Sequence, residues 1–296
     1  MYKNDLFSRQ ILNHQNNQKQ IIMRKTTLLS VLVCAGLMIT IFGSCKDDSN
    51  LKNSAAITDQ SFVQEFDTVQ AAINQGWKLV NRSSPIGRQG WVQGNSIYAE
   101  IWQYATAGYP AYSSKATREG FISSDFSSAT ARTPSGATQS NFLISPSVIL
   151  QNGDKIIFYT REDDSISRWA DRLQVCYNTS GDDFTNAGQG INPGGFSAVV
   201  LDINLNYASG FTVGTTPTSP FDPSIPYFSN NSVAYPRQWT RFEARVTGLN
   251  QPLRTRFAFR HFVELGGYPE TGSYTVGGRG GVISIDSVAF VSVSHH

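Results

Sequence analysis

The stretch Thr240-Arg-Phe-Glu-Ala-Arg-Val246 decides the fold class. Thr240, Phe242, Ala244 and Val246 alternate with Arg241, Glu243 and Arg245, and a period of two puts the two sets on opposite faces of one extended strand. Leu173, Val175 and Tyr177 alternate in the same way with Arg172, Gln174 and Cys176, so a second half-buried strand is expected there. Lys155-Ile-Ile-Phe-Tyr-Thr160 and the run from Phe257 to Val263 are apolar on both faces, which suits the middle of a sheet. Gln151-Asn-Gly-Asp154 supplies a turn before the first of them. From Phe62 onward, strand-like runs alternate with Gly, Ser, Thr and Asn clusters, without an internal repeat. The single helical candidate is Val69 to Gln75, capped by Asp67 or Thr68 and stopped by Gly76. The pattern predicts an all-β, antiparallel sandwich or barrel, with one core spanning residues 62–294.

Outward from that core, the N-terminal side reads as export machinery. Arg24 and Lys25 precede an apolar run from Leu28 to Phe42 that closes with Gly43, Ser44 and Cys45. This is the layout of a secretory signal over residues 1–44, with Met23 an alternative start. A Cys after small residues suits lipoprotein processing, so Cys45 is the expected lipidation site and the chain's link to a lipid bilayer. Residues 45–61 are polar and read as a tether. The order Cys45-Lys-Asp-Asp48 is similar to a signal that sends lipoproteins to the outer face of the Gram-negative outer membrane, so display at the cell exterior is expected; a solvated charge cluster facing the periplasm is the plainer alternative.

Composition then excludes several functions. The chain holds 24 basic and 22 acidic residues; the part before Cys45 carries five and one of them, leaving 19 and 21. A near-neutral mature protein argues against nucleic acid as a partner. Of three cysteines, Cys34 falls in the signal and Cys45 is lipidated. Cys176 is then left without a partner for an internal disulfide.

Several ordered segments carry a resemblance: Glu65-Phe-Asp67, Gly76-Trp77, Pro85-Ile-Gly87, Gly90-Trp-Val-Gln-Gly-Asn95, Leu143-Ile-Ser-Pro146, Asp171-Arg-Leu-Gln-Val175, Trp239-Thr-Arg-Phe242, Phe257-Ala-Phe-Arg260 and Ile285-Asp-Ser-Val288. Together they resemble the choice-of-anchor J domain, a relative of bacterial cleaved-adhesin domains, over essentially all of Phe62 to Val293. Phe142 stands where that family usually has Trp, and the segment Gly210 to Pro236 is longer than usual. The resemblance implies an all-β jelly-roll β-sandwich of the galactose-binding-like kind with a structural calcium, used in adhesion or as an ancillary module, and no catalysis.

Read on their own, the residues offer little for an enzyme. His261 is the one internal histidine of the mature chain and lies mid-strand, as does Cys176. Glu162, Asp163, Asp164 and Asp171 form the dense acidic cluster a glycosidase would need, but a solvated turn between strands is the better explanation of them. Asp286 interrupts the apolar run Val282 to Val291, where an unpaired carboxylate is costly. First and last strands of a jelly roll are commonly neighbours, so Glu65, Asp67 and Asp286 are the expected calcium ligands, with a salt bridge or a solvent-facing position as alternatives. Sugar contact needs aromatic faces and amide or carboxylate groups. Trp91, Gln93 and Asn95 provide them in one segment, Trp169 in a polar turn, and Asp222 and Tyr227 in the long loop. The expected function is a surface lipoprotein binding a glycan or a surface protein; an ancillary subunit capturing polysaccharide for a hydrolase is the alternative, and a glycosidase the weaker one.

Overall fold

The computed structural model describes residues 57–95, 109–113, 119–131, 136–162, 170–208, 234–269 and 280–293. Strand propensity and alternation resolve into two antiparallel sheets. The larger runs in the order β11 (Thr240–Arg245), β8 (Lys155–Glu162), β15 (Val282–Val291), β4 (Ile122–Asp125) and β3 (Val92–Gln93), with β1 (Phe62–Gln64) paired to β15. The smaller runs β10 (Ala198–Ile203), β9 (Leu173–Tyr177), β13 (Phe257–Gly266), β6 (Ala137–Ile144) and β2 (Lys78–Asn81). Two short pairs, β12 (Leu253–Thr255) with β7 (Val148–Leu150) and β14 (Tyr268–Pro269) with β5 (Thr130–Ala131), complete the ladders. The chain changes sheet at most steps, from β1 to β2, β2 to β3, β6 to β8 and β13 to β15, which makes a jelly-roll sandwich. The one α-helix among the described residues, α1 (Val69–Asn74), follows β1; Thr68 caps it through a bond from the Ala71 N–H, and Gly76 at φ 100° ends the turn.

The inward faces meet in one apolar core. Ile156 and Phe158 from β8, and Ile283, Ile285, Val288 and Phe290 from β15, pack with Leu173, Val175, Phe257 and Phe259 of the other sheet. Phe158 and Phe259 touch edge to face at 4.8 Å between ring centroids. β11 is an edge strand on β8, with Ala244 and the following Val246 buried and Arg241, Glu243 and Arg245 outside.

β9 departs from expectation. It is buried on both faces, because residues 184–196 cover its outer side: Cys176 packs with Phe142, Phe196 and Ala258. Arg260 joins this cover between Phe262 and Phe142, donating to Ser140 Oγ, Gln174 Oε1 and the Gly190 and Ile191 carbonyls. Burial lowers its guanidinium to about 10.

At one end the sheets are joined by polar groups rather than apolar ones. His261 of β13 is fully buried, with Nε2 2.9 Å from Asp171 Oδ1 and Nδ1 2.9 Å from Ser124 Oγ of β4. Asn141 of β6 donates to the same Ser124 hydroxyl, and the Gly281 N–H donates to Asp171. Desolvation here is tolerable because His261, Asp171, Ser124 and the Asn141 amide nitrogen each find a partner in the opposite sheet or beside it.

Candidate binding face of the larger sheet

The outer face of the larger sheet is organised by a bulge. In β15, Ile283 and Ile285 point into the core while Ser284 and Asp286 point out; the register with β8 shifts between Asp286 and Ala289, with Ser287 at φ 49°, and Val288 and Phe290 point in again. Two runs of opposite phase are thus spliced at Asp286. This accounts for the carboxylate in an apolar run: Asp286 does not enter the core, yet it is fully buried, because residues 109–113 lie across it.

Those five residues form a strap. Tyr112 N–H, Ser113 N–H and Ser113 Oγ–H donate to the Asp286 carboxylate at 2.8 to 3.0 Å, and Ser287 N–H adds a fourth donor. Tyr109 bonds the Ser284 hydroxyl at 2.9 Å and stacks under the Arg161 guanidinium at 3.6 Å. Trp239 Nε1–H donates to the Pro110 carbonyl and packs edge-on to Tyr109. Held this way, Tyr112 lies flat on Tyr159 of β8, ring centroids 3.6 Å apart, and stays 43% exposed. Burial pushes the Asp286 carboxyl up to about 6 against the pull of its donors.

Antiparallel register aligns the rest of the face in rows. Asp286, Tyr159 and Arg241 are consecutive across β15, β8 and β11; Val63, Ala289, Ile157 and Glu243 follow; then Val291, Lys155 and Arg245. Val63 is 59% exposed and Val291 38%. Glu243 is contacted by Lys155, Arg241 and Arg245 at 3.2, 3.1 and 3.9 Å, and its carboxyl is lowered by bonds from Arg241 and Lys155.

The residues expected to hold calcium are only partly brought together. β1 does lie beside β15, and Ser113 Oγ reaches both the Glu65 carbonyl, at 3.4 Å, and Asp286. Glu65 Oε2 is a buried acceptor with no hydrogen-bond partner, which fits a cation's requirement for oxygen. Asp67 is exposed and does not join, and no group of three or more His, Cys, Asp or Glu able to hold a metal converges among the described residues. What converges is the Glu65 backbone carbonyl and the Asp286 carboxylate on the Ser113 hydroxyl, while Phe66 between Glu65 and Asp67 is buried at φ 52°.

The expected sugar contacts fare differently from one another. Trp91 is buried at 3% exposure, its Nε1–H donating to the Asn141 carbonyl, so its ring offers no face for stacking. Gln93 spends its amide internally: Nε2 donates to the Phe66 and Phe121 carbonyls and Oε1 accepts from Val69 N–H. Asn95 is exposed. Gly94 between them is required by the Phe121 ring, which a Cβ would overlap. Trp169, Asp222 and Tyr227 lie outside the described residues, as do Cys45 and, in the acidic cluster, Asp163 and Asp164. Of that cluster's other members, Asp171 is bonded to His261 and Glu162 is paired with Arg237 at 3.5 Å. Ser124, His261 and Asp171 have the order of a catalytic triad, but all three are at most 1% exposed, so no substrate atom has a path to the hydroxyl. Burial pushes the Cys176 thiol up to about 12.

Tyr112 and Tyr159 were missed by the sequence reading. Tyr159 was visible as an outward position in a strand; Tyr112 has no periodicity to mark it, since the strap is irregular chain.

No family model and no curated protein matches the chain. Among solved structures it is similar to two cleaved adhesin domains of Lys-gingipain from Porphyromonas gingivalis W83. These are 18% and 15% identical, with 79% of this chain and 99% of each domain covered and TM-scores of 0.40 and 0.42. It is also similar to a family 11 carbohydrate-binding module from Clostridium thermocellum in complex with a β-1,3-1,4-mixed-linked tetrasaccharide, at 10% identity, with 82% and 100% covered and a TM-score of 0.34.

Proposed function

We propose that this chain is a non-enzymatic surface lipoprotein of the choice-of-anchor J kind, acylated at Cys45, held on the outer membrane facing the exterior, and binding a glycan or a surface protein. The observation that carries the binding role is the open outer face of the larger sheet, where a strap tied down at five points presents Tyr112 to solvent beside a charged edge. A rigid aromatic held before the ligand arrives loses little entropy on contact, and so retains more of the contact free energy as affinity. The non-catalytic part of the reading is supported by the inward commitment of His261, Asp171 and Cys176. Calcium belongs to the same proposal: bound at Glu65 and Asp286, it would neutralise two carboxylates and supply structural cross-linking between β1 and β15.

A glycan array and an immobilised extracellular-matrix protein panel, both probed with purified protein, test the binding role; discrete hits are expected on at least one. Silence on both, together with sugar release from a soluble polysaccharide, would replace the reading with hydrolysis. For calcium, an upward shift in melting temperature on adding calcium to chelator-treated protein is expected, and an unchanged melt removes the ion.

A further inference from the structure

The rows on the outer face of the larger sheet carry more than a generic contact surface. Three cations, Lys155, Arg241 and Arg245, surround the single carboxylate of Glu243, and their side chains are 35%, 48% and 59% exposed. The exposed edge is therefore positive by two charges, although the chain from Cys45 onward is near neutral. Arg241 is the direct cross-strand neighbour of Tyr159, on which Tyr112 lies, so a guanidinium and an accessible aromatic face stand side by side. The Val63, Ala289 and Ile157 row continues the apolar surface below.

We propose that this face binds an acidic saccharide, with a sugar ring stacked on Tyr112 and its carboxylate or sulfate paired with Arg241, Lys155 and Arg245 supplying the surrounding positive field. This rests on the binding role proposed above and names the ligand chemistry and the residues that read it. A pyranose has one apolar C–H face, which suits the free side of the Tyr112 ring. A planar anion suits the fork of an arginine better than the point charge of a lysine. Glu243 ties Arg241 down and leaves part of its donor set for a ligand, since the guanidinium has five donors and Glu243 takes one contact at 3.1 Å. Asp286 enters as a positioning residue: its bonds to the Tyr112 and Ser113 N–H groups fix where the ring lies.

The test is binding of the full chain, by calorimetry, to three probes: galacturonic acid oligomers, a sulfated chondroitin oligosaccharide and neutral cellohexaose. The first two separate carboxylate from sulfate. At least one acidic probe is expected to bind, with affinity falling as salt rises, and cellohexaose is expected to bind at least about tenfold more weakly. Tyr112→Ala and Arg241→Ala are each expected to lower acidic-probe affinity by about tenfold or more, Arg241→Lys by less, and Ile191→Ala on the cover of the other sheet by nothing measurable. Arg241 is exposed on an edge strand, so its variant keeps the test open even if Tyr112→Ala loosens the strap. Acidic-probe binding untouched by both substitutions would overturn this site while leaving the binding role intact. Equal binding of the neutral probe would overturn the charge assignment. Silence toward all three probes would overturn the inference; the binding role falls with it only if the wider array and protein panel are silent too.

Discussion

Asp286 shows at the scale of one residue how context resets chemistry. Its carboxyl is pushed up to about 6 from an ordinary 3.8 by burial, so the folded chain takes up a proton at a pH where the unfolded chain has already lost it. In chelator-treated protein, stability is therefore expected to fall as pH rises from about 4 to above 6, by up to about 3 kcal/mol. Asp286→Asn should flatten that slope in urea titrations across the window; an unchanged slope would place the proton elsewhere. Cys176 supplies a second expectation. With its thiol raised to about 12 by burial, it should resist iodoacetamide at pH 8 in the native protein and alkylate only after denaturation, as peptide mass spectrometry would show. A sequence alone shows neither effect, because both depend on what covers the residue: a strap in one case, the 184–196 segment in the other.

Among the elements, the strands with clean alternation or double-sided apolarity were readable, and for a physical reason. β11 must expose one face because it is an edge, so its period of two survives; β8 and β13 sit inside their sheets and lose it, as the apolar runs implied. β9 misled because Gln174 and Cys176 within it, and Arg172 just before it, are buried rather than wet. The candidate site was less legible. The expected pairing of first and last strands is present, whereas Tyr112 comes from irregular chain whose position only tertiary packing sets. The polar bridge between sheets makes its own prediction. His261→Ala should destabilise by about 2 to 4 kcal/mol, since it strips a partner from both Asp171 and Ser124 in a dry site. The loss should appear in the urea midpoint, without effect on ligand affinity at the outer face.

For the molecule as a whole, a single core shared by both sheets implies one cooperative transition for the described domain, with calorimetric and van't Hoff enthalpies in agreement. Phe158→Ala, which removes the ring that meets Phe259 at the centre, should lower stability by about 3 to 5 kcal/mol and keep the transition single. The pairing of β1 with β15 also has a mechanical side. Phe62 lies opposite Phe290 and Gln64 opposite Val288, so β1 enters the pair at the end where β15 leaves it, and there Ser61 Oγ accepts from the Ser292 N–H. Tension applied between those two flanks loads the hydrogen bonds in succession, as in opening a zip, rather than all together in shear. Under a pulling load β1 should peel away at low force and carry the Phe62 ring off Phe257, while the strands that carry Tyr159 and Arg241 keep their shape.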